Sequence, residues 1–225
     1  MTASARTIDE RAWRPQAFGT QRSQRIRDPL VEPLWDGDRV LVHVEAGGTT
    51  ILDAEGAEVT LVPEIAAAAA EAILTERAVL DGYLTPQPIT GGTGILGEIK
   101  VPTATEITTQ MLLGRARTRK RELADAKPAP IAPGDELVLV AVDLLSLDGE
   151  PMLDVPLLER KRLLESVLRP SHLVRLGPYI RLPVDTWLGS WRAQGFRAVA
   201  YKEANGRYRP GEKAEDWAVA NIPPR

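Results

Sequence analysis

The stretch "ELVLVAVDLLSLDGEPMLDVPLLERKRLLESVL", residues 136–168, decides how this chain folds. It opens with a nearly continuous apolar run, 136–147, of the kind a strand shows when both of its faces are buried. Asp148-Gly149 follows as a turn, because Asp and Gly accept the backbone angles that turns require. From 154 to 168 the apolar period becomes that of a helix. Leu157, Leu158, Leu163, Leu164 and Leu168 fall on one stripe, and charged residues take the other face. A buried strand that turns into an amphipathic helix predicts a sheet with a helix packed against it.

Working outward, "DRVLVHVEA" (38–46) alternates and is rich in valine, which predicts a strand. Gly47-Gly48 makes the turn, and "TTILDAEG" (49–56) is the returning strand. "VPEIAAAAAEAILTERA" (62–78) predicts a helix, with its proline in the first turn, where a missing N–H is harmless. "AVLDGYLT" (78–85) predicts another strand, and "PQPITGGTG" (86–94) a loop. "LGEIKV" (96–101) reads as a short strand, residues 105–126 as a helix broken near Gly114, and "KPAPIAPGD" (127–135) as a proline-rich connector. "HLVRLGPYIRLP" (172–183) and "RAVAYKEA" (197–204) predict two more strands. Residues 1–27, polar and rich in arginine, are expected to form a tail or an arm on the surface, and 28–225 the folded domain. Strands with a few helices between them, rather than strict βαβ alternation, predict an α+β fold.

Composition narrows the chemistry. The 225 residues contain no cysteine, which excludes disulfides, thiolate catalysis and cysteine-held zinc or iron–sulfur sites. His43 and His172 are too few and too far apart in sequence to suggest a histidine-rich metal site. No apolar run approaches the roughly 20 residues of a membrane helix, and the first residues lack the apolar core of a signal peptide. A cytoplasmic protein without membrane contact is expected. The net charge of −3 does not suggest a protein that coats nucleic acid. The basic stretch "RARTRKR" (115–121) reads either as a solvated face or as a phosphate-contacting patch through Arg115, Arg117, Arg119 and Arg121.

Five segments occur in a telling order: "EPLWDGDR" (32–39), "AVLDGY" (78–83), "VAVDLLSLDGEPMLDVPLLERKRLLESVL" (140–168), "AQGFRAVAYK" (193–202) and "YRPGEKAEDWAVAN" (208–221). Together they resemble the adenylation domain of ATP-dependent DNA ligases, from about Asp28 to Asn221. The resemblance implies an ATP-grasp-like α+β domain, in which two antiparallel sheets with flanking helices form a central cleft.

In that family the first motif is Lys-x-Asp-Gly-x-Arg, and its lysine attacks the α-phosphate of ATP. The chemistry needs a nucleophilic amine beside a metal-bound triphosphate. This chain keeps Asp36, Gly37 and Arg39, but Leu34 stands at the lysine position and has no lone pair with which to attack. The family's Asp-Gly-Glu is here Asp81-Gly82-Tyr83, its Phe-Asp pair is Val142-Asp143, and its Glu-Gly-x-x-x-Lys is 197–202, with Arg197 in place of the glutamate. Two phosphate-binding lysines expected after Trp217 are absent from Ala218 to Asn221. The chain ends at Arg225, so no oligonucleotide-binding domain is expected after it.

The resemblance therefore implies a degenerate adenylation domain with no catalytic residue, in which a divalent ion has lost its carboxylate ligands. The implied nucleotide-binding set is Glu32, Arg39, Val142, Val199 and Lys202, taking ATP or AMP non-covalently and without a metal. DNA, bound weakly, and an active ligase or other repair protein are the implied partners. Two alternatives stand beside this: a minimal ligase whose nucleophile has moved to Lys202 or Lys100, and a structural or regulatory module with an empty cleft. Each retained residue also has a plainer reading. Leu34 would fill the space of the missing lysine, Asp36-Gly37 would be a turn, and Arg39 would pair with Asp143 or Glu32. Trp35 and Trp217 would be packing anchors.

Overall fold

The computed structural model describes residues 9–86 and 137–223. The apolar run becomes β6 (Val138–Leu147), buried along nearly its whole length because it lies inside a six-stranded sheet. On one side it pairs antiparallel with β5 (Ala78–Thr85), then β3 (Asp38–Glu45), then β4 (Gly48–Leu52) at the edge. On the other side two short strands share β6. β7 (Glu150–Pro151) returns antiparallel at its end, and β8 (Val174–Leu176) runs parallel along its first half. Asp148 and Gly149 make the β6–β7 turn with φ of 49° and 83°. Two successive positive values are what a two-residue hairpin requires.

Helices α1 (Pro63–Ala72) and α2 (Leu157–Val167) cover one face of this sheet, enclosing Val40, Val42, Leu80, Leu144, Ile65 and Leu164. The α2 stripe departs from the sequence reading. Besides Leu157, Leu164 and Leu168, it buries Arg160 (0% exposed) and Lys161 (2%), which were expected on the polar face. The helical period accounts for this: positions 160 and 161 lie between 157 and 164 on one side of the helix.

A second, three-stranded antiparallel sheet has the order β11 (Trp217–Asn221), β9 (Ala198–Glu203), β2 (Pro29–Pro33). α3 (Asp185–Ala193) places Trp191 in an apolar cluster with Val31, Val199 and Phe196. The sequence reading has no helix there, since nine residues containing Gly189 give too short a stripe. A third pairing is parallel: β1 (Ala17–Phe18) lies beside β10 (Lys213–Ala214).

β1 corrects the expectation of a surface arm. From Trp13 onward the N-terminal segment packs into the protein, with Trp13 buried beside Leu41, Val79, Leu145 and Tyr208. Its polar composition hid three inward-facing residues, Trp13, Gln16 and Ile26. The readings made for 87–136 lie outside the described residues.

Candidate functional site

The register of β2 on β9 sets Leu30 opposite Lys202 and Glu32 opposite Ala200. Glu32 and Lys202 are therefore diagonal neighbours on one face. Lys202 Nζ lies 3.0 Å from Glu32 Oε2, and Lys161 Nζ, reaching in from α2, lies 2.9 Å from Oε1. All three side chains are nearly inaccessible. Lys161 also donates to the Val142 carbonyl at 2.7 Å and sits 5.0 Å from the Tyr179 ring centroid. Burial opposes the charge on Glu32, but the two ammonium groups outweigh it and hold the carboxyl below its ordinary pKa. Burial lowers the pKa of Lys161; Lys202 adds to that effect, while Glu32 opposes it.

Arg39 also lies near Trp217, 5.3 Å from its ring centroid. Its Nε and Nη2 donate to the two oxygens of Asp81 at 2.9 and 2.6 Å, and Nη1 donates to the Gln16 carbonyl at 2.7 Å. Tyr208 completes Asp81 by donating its hydroxyl at 2.7 Å. The expectation that Arg39 pairs with Asp143 or Glu32 is thus corrected. Arg39 and Asp81 are diagonal across the β3–β5 register, where Leu41 faces Asp81 and Arg39 faces Tyr83. Asp143 is instead held by Arg160 through two 2.8 Å bonds. That guanidinium overcomes the opposing effect of burial and keeps the Asp143 pKa below its ordinary value. The Trp217 ring is within reach of two cations, with Lys202 Nζ at 4.3 Å and the Arg39 guanidinium at 5.3 Å from its centroid. Such contacts are attractive where water is excluded.

Leu34 is half-buried at the end of β2, where its N–H donates to the Ala198 carbonyl at 3.0 Å. It does not fill a sealed hole. It forms one wall of a surface hollow of about 170 Å³, with Trp35, Asp36, Phe196, Arg197 and Ala198. Gly195, at φ 95°, ends α3 in the left-handed conformation and turns the chain. Phe196 then points inward, edge-on to Trp35 at 4.9 Å and 84°, while Arg197 is exposed. Gly37 has φ 154°, and a Cβ there would come within 2.2 Å of the Leu84 carbonyl oxygen. Thr85 Oγ1 donates to the Asp36 carbonyl beside it.

Of the five implied nucleotide-binding residues, the structure brings Glu32 and Lys202 into contact and leaves Arg39 with Asp81. Val142 and Val199 share an apolar cluster at 2% and 1% exposure. Both oxygens of Glu32 are engaged by lysines. Arg115, Arg117, Arg119, Arg121 and Lys100 lie outside the described residues. Arg25 and Arg27 line a polar hollow with Arg209, Glu203 and Asp216, mixed in sign. Sequence reasoning missed Lys161, Arg160, Gln16 and Tyr208. The spacing 157, 160, 161, 164 on α2 was a signal for the first two.

Residues 20–218 match the model of the ATP dependent DNA ligase domain family. A probable DNA ligase of Streptomyces avermitilis is 29% identical over 192 residues, covering 83% of this chain and 34% of that protein. The multifunctional non-homologous end joining DNA repair protein LigD of Mycobacterium tuberculosis is 27% identical over 201 residues, 88% of this chain and 22% of that protein. This chain thus spans about a third or less of the relatives' lengths. The solved ligase domain of M. tuberculosis LigD superposes with a TM-score of 0.62 at 20% identity, over 95% of this chain and 61% of that one.

Proposed function

We propose, from the premise that this chain belongs to the ATP dependent DNA ligase domain family, that it is a form of that domain which does not adenylate itself and has kept a binding role. The observation that carries this reading is Leu34 in the motif position of the attacking lysine. A hydrocarbon side chain cannot displace pyrophosphate from ATP, and loss of a covalent nucleophile lowers a rate by many orders of magnitude. Two features support it. Lys202 and Lys161, the lysines that reach Glu32, are both engaged by its carboxylate. Tyr83 and Arg197 occupy positions where the family resemblance implies carboxylates.

The binding role fits a nucleic-acid end or a protein partner in DNA repair, the setting named for the mycobacterial relative. Nucleotide binding through Glu32 would first require its two lysines to let go. Intact mass after incubation with ATP and magnesium is the test, and unmodified protein is the expected result. A stable gain of one AMP would overturn the reading in favour of a ligase with a relocated lysine. That gain would have to vanish on changing Lys202 or Lys100.

A further inference from the structure

We propose that this chain forms a weak two-fold dimer, in which β11 pairs antiparallel with β11 of a second copy about an axis at Ala220. The backbone carries this. In an antiparallel pair, successive residues turn their N–H and C=O groups alternately toward the neighbouring strand and away from it. On β11 the alternation is fixed by two bonds, from the Glu203 N–H to the Asp216 carbonyl and from the Ile222 N–H to the Arg197 carbonyl. Ala218 and Ala220 therefore face β9, while Trp217, Val219 and Asn221 turn their backbone groups outward. The Trp217 carbonyl is taken by the Gly19 N–H at 2.9 Å. Among the described residues, no hydrogen bond engages the outward backbone groups of Val219 or Asn221. Pro223, the next outward residue, has no N–H, and its carbonyl accepts from Arg192 Nη1.

The opposite edge of the same sheet is guarded. The outward residues of β2 are Pro29, Val31 and Pro33. The two prolines offer no donor, and Val31 exchanges both of its bonds with Ile180, at 2.8 and 2.9 Å. β11 carries no such device. It has neither a proline nor a charged residue from Trp217 to Asn221, its pairing with β9 contains no bulge, and Val219 is 41% exposed. A regular, uncharged edge of this kind is a template for another strand.

A second copy is the strand that suits this edge. The open window runs only from Val219 to Asn221, closed at one end by Gly19 and at the other by Pro223. An axis at Ala220 sets each Val219 opposite Asn221 of the other copy. Both residues face outward, so four N–H···O bonds form and every free backbone group of both windows is used. The strand is neutral, so the copies bring no like charges together. The pairing is isologous and stops at two. A longer strand from another protein would run into Gly19, and a polynucleotide has no peptide groups to match the edge. The inference is independent of the reading at position 34.

The test is sedimentation velocity of the full chain from roughly 10 µM to 1 mM, the range of weak association. A reversible shift from monomer to dimer is expected, and by NMR the Val219 and Asn221 amides should exchange about tenfold or more slowly at the high end. Val219→Lys should weaken the dimer by about tenfold or more by setting two charges beside the axis. Val219→Pro should abolish it, and the fold tolerates this change because that N–H makes no bond to β9. If Val219→Pro does not fold, Val219→Lys decides. Leu61→Lys, at a side chain 91% exposed elsewhere on the surface, should leave the dimer unchanged. A monomer at every concentration would overturn the proposal, and protected or open edge amides would then assign the edge to another segment of this chain or to a foreign strand. Growth beyond two copies, or a dimer indifferent to Val219→Lys, would overturn it as well.

Discussion

Lys202 and Lys161 approach the same carboxylate, Glu32, from opposite elements, at 3.0 Å from β9 and 2.9 Å from α2. Two buried ammonium groups on one carboxylate make the three residues unequal in importance. Removing the carboxylate strands both cations, whereas removing one lysine leaves a complete pair. Glu32→Gln should therefore destabilise the fold by about 3–5 kcal/mol, the range for breaking a buried ion pair from one side. Lys202→Met should cost clearly less. Urea unfolding of the two variants measures this, and equal losses would contradict it.

Restoring the missing amine should not restore the reaction. With Tyr83 and Arg197 still at positions where carboxylates are implied, Leu34→Lys is expected to remain free of AMP on intact mass measurement after ATP and magnesium. An adduct in this single variant would show that the rest of the machinery is still in place.

Gly37 is held by backbone geometry. Its φ of 154° and the 2.2 Å approach a Cβ would make to the Leu84 carbonyl oxygen predict that Gly37→Ala loses about 1–3 kcal/mol, the scale of local backbone strain. A melting temperature equal to that of the unchanged protein would reject this account of why Asp-Gly persists.

Acid should unfold the chain in two stages. Burial, then Arg11, holds the His43 pKa below its ordinary 6.5. Below that value the unfolded chain takes up a proton that the folded one refuses, so stability begins to fall there. Glu32 and Asp143, lowered from 4.5 and 3.8, add a second loss as pH drops below those values. Melting temperatures against pH should show both stages, and His43→Gln should remove the first one only.

Trp13 anchors the N-terminal segment at 7% exposure. Trp13→Ala should cost about 3–5 kcal/mol, as large-to-small changes in cores do. A loss under 1 kcal/mol would return the segment to the surface arm that its composition suggests.

Much of the architecture was legible from periodicity. β5 occupies the run 78–85 as read, and β6 with α2 follows the apolar pattern of 136–168. What escaped depends on partners distant in sequence. A two-residue strand such as β1 has no period of its own, and only Lys213 and Ala214 beside it make it one. Arg160 and Lys161 defeated a rule that sends charge outward, since their partners are Asp143 and Glu32. The choice of Asp81 for Arg39 was fixed by strand register, which no single segment contains. Motif positions such as Leu34 and Lys202 were legible as positions, but their surroundings were not.

The pairing of β1 with β10 and of β2 with β9 also sets an order in time. Residues 17–33 emerge early in synthesis, yet every strand they pair with lies beyond residue 197. The six-stranded sheet has its strands by residue 176 and can assemble first. β1 and β2 must wait for their partner strands until residues 198–214 have been made, although Trp13 already has Leu41, Val79 and Leu145 to pack against. Such long-range closure is slow, and it leaves strand edges open in the interval. The Glu32–Lys202 pair therefore cannot close until β9 has followed the strands of the six-stranded sheet.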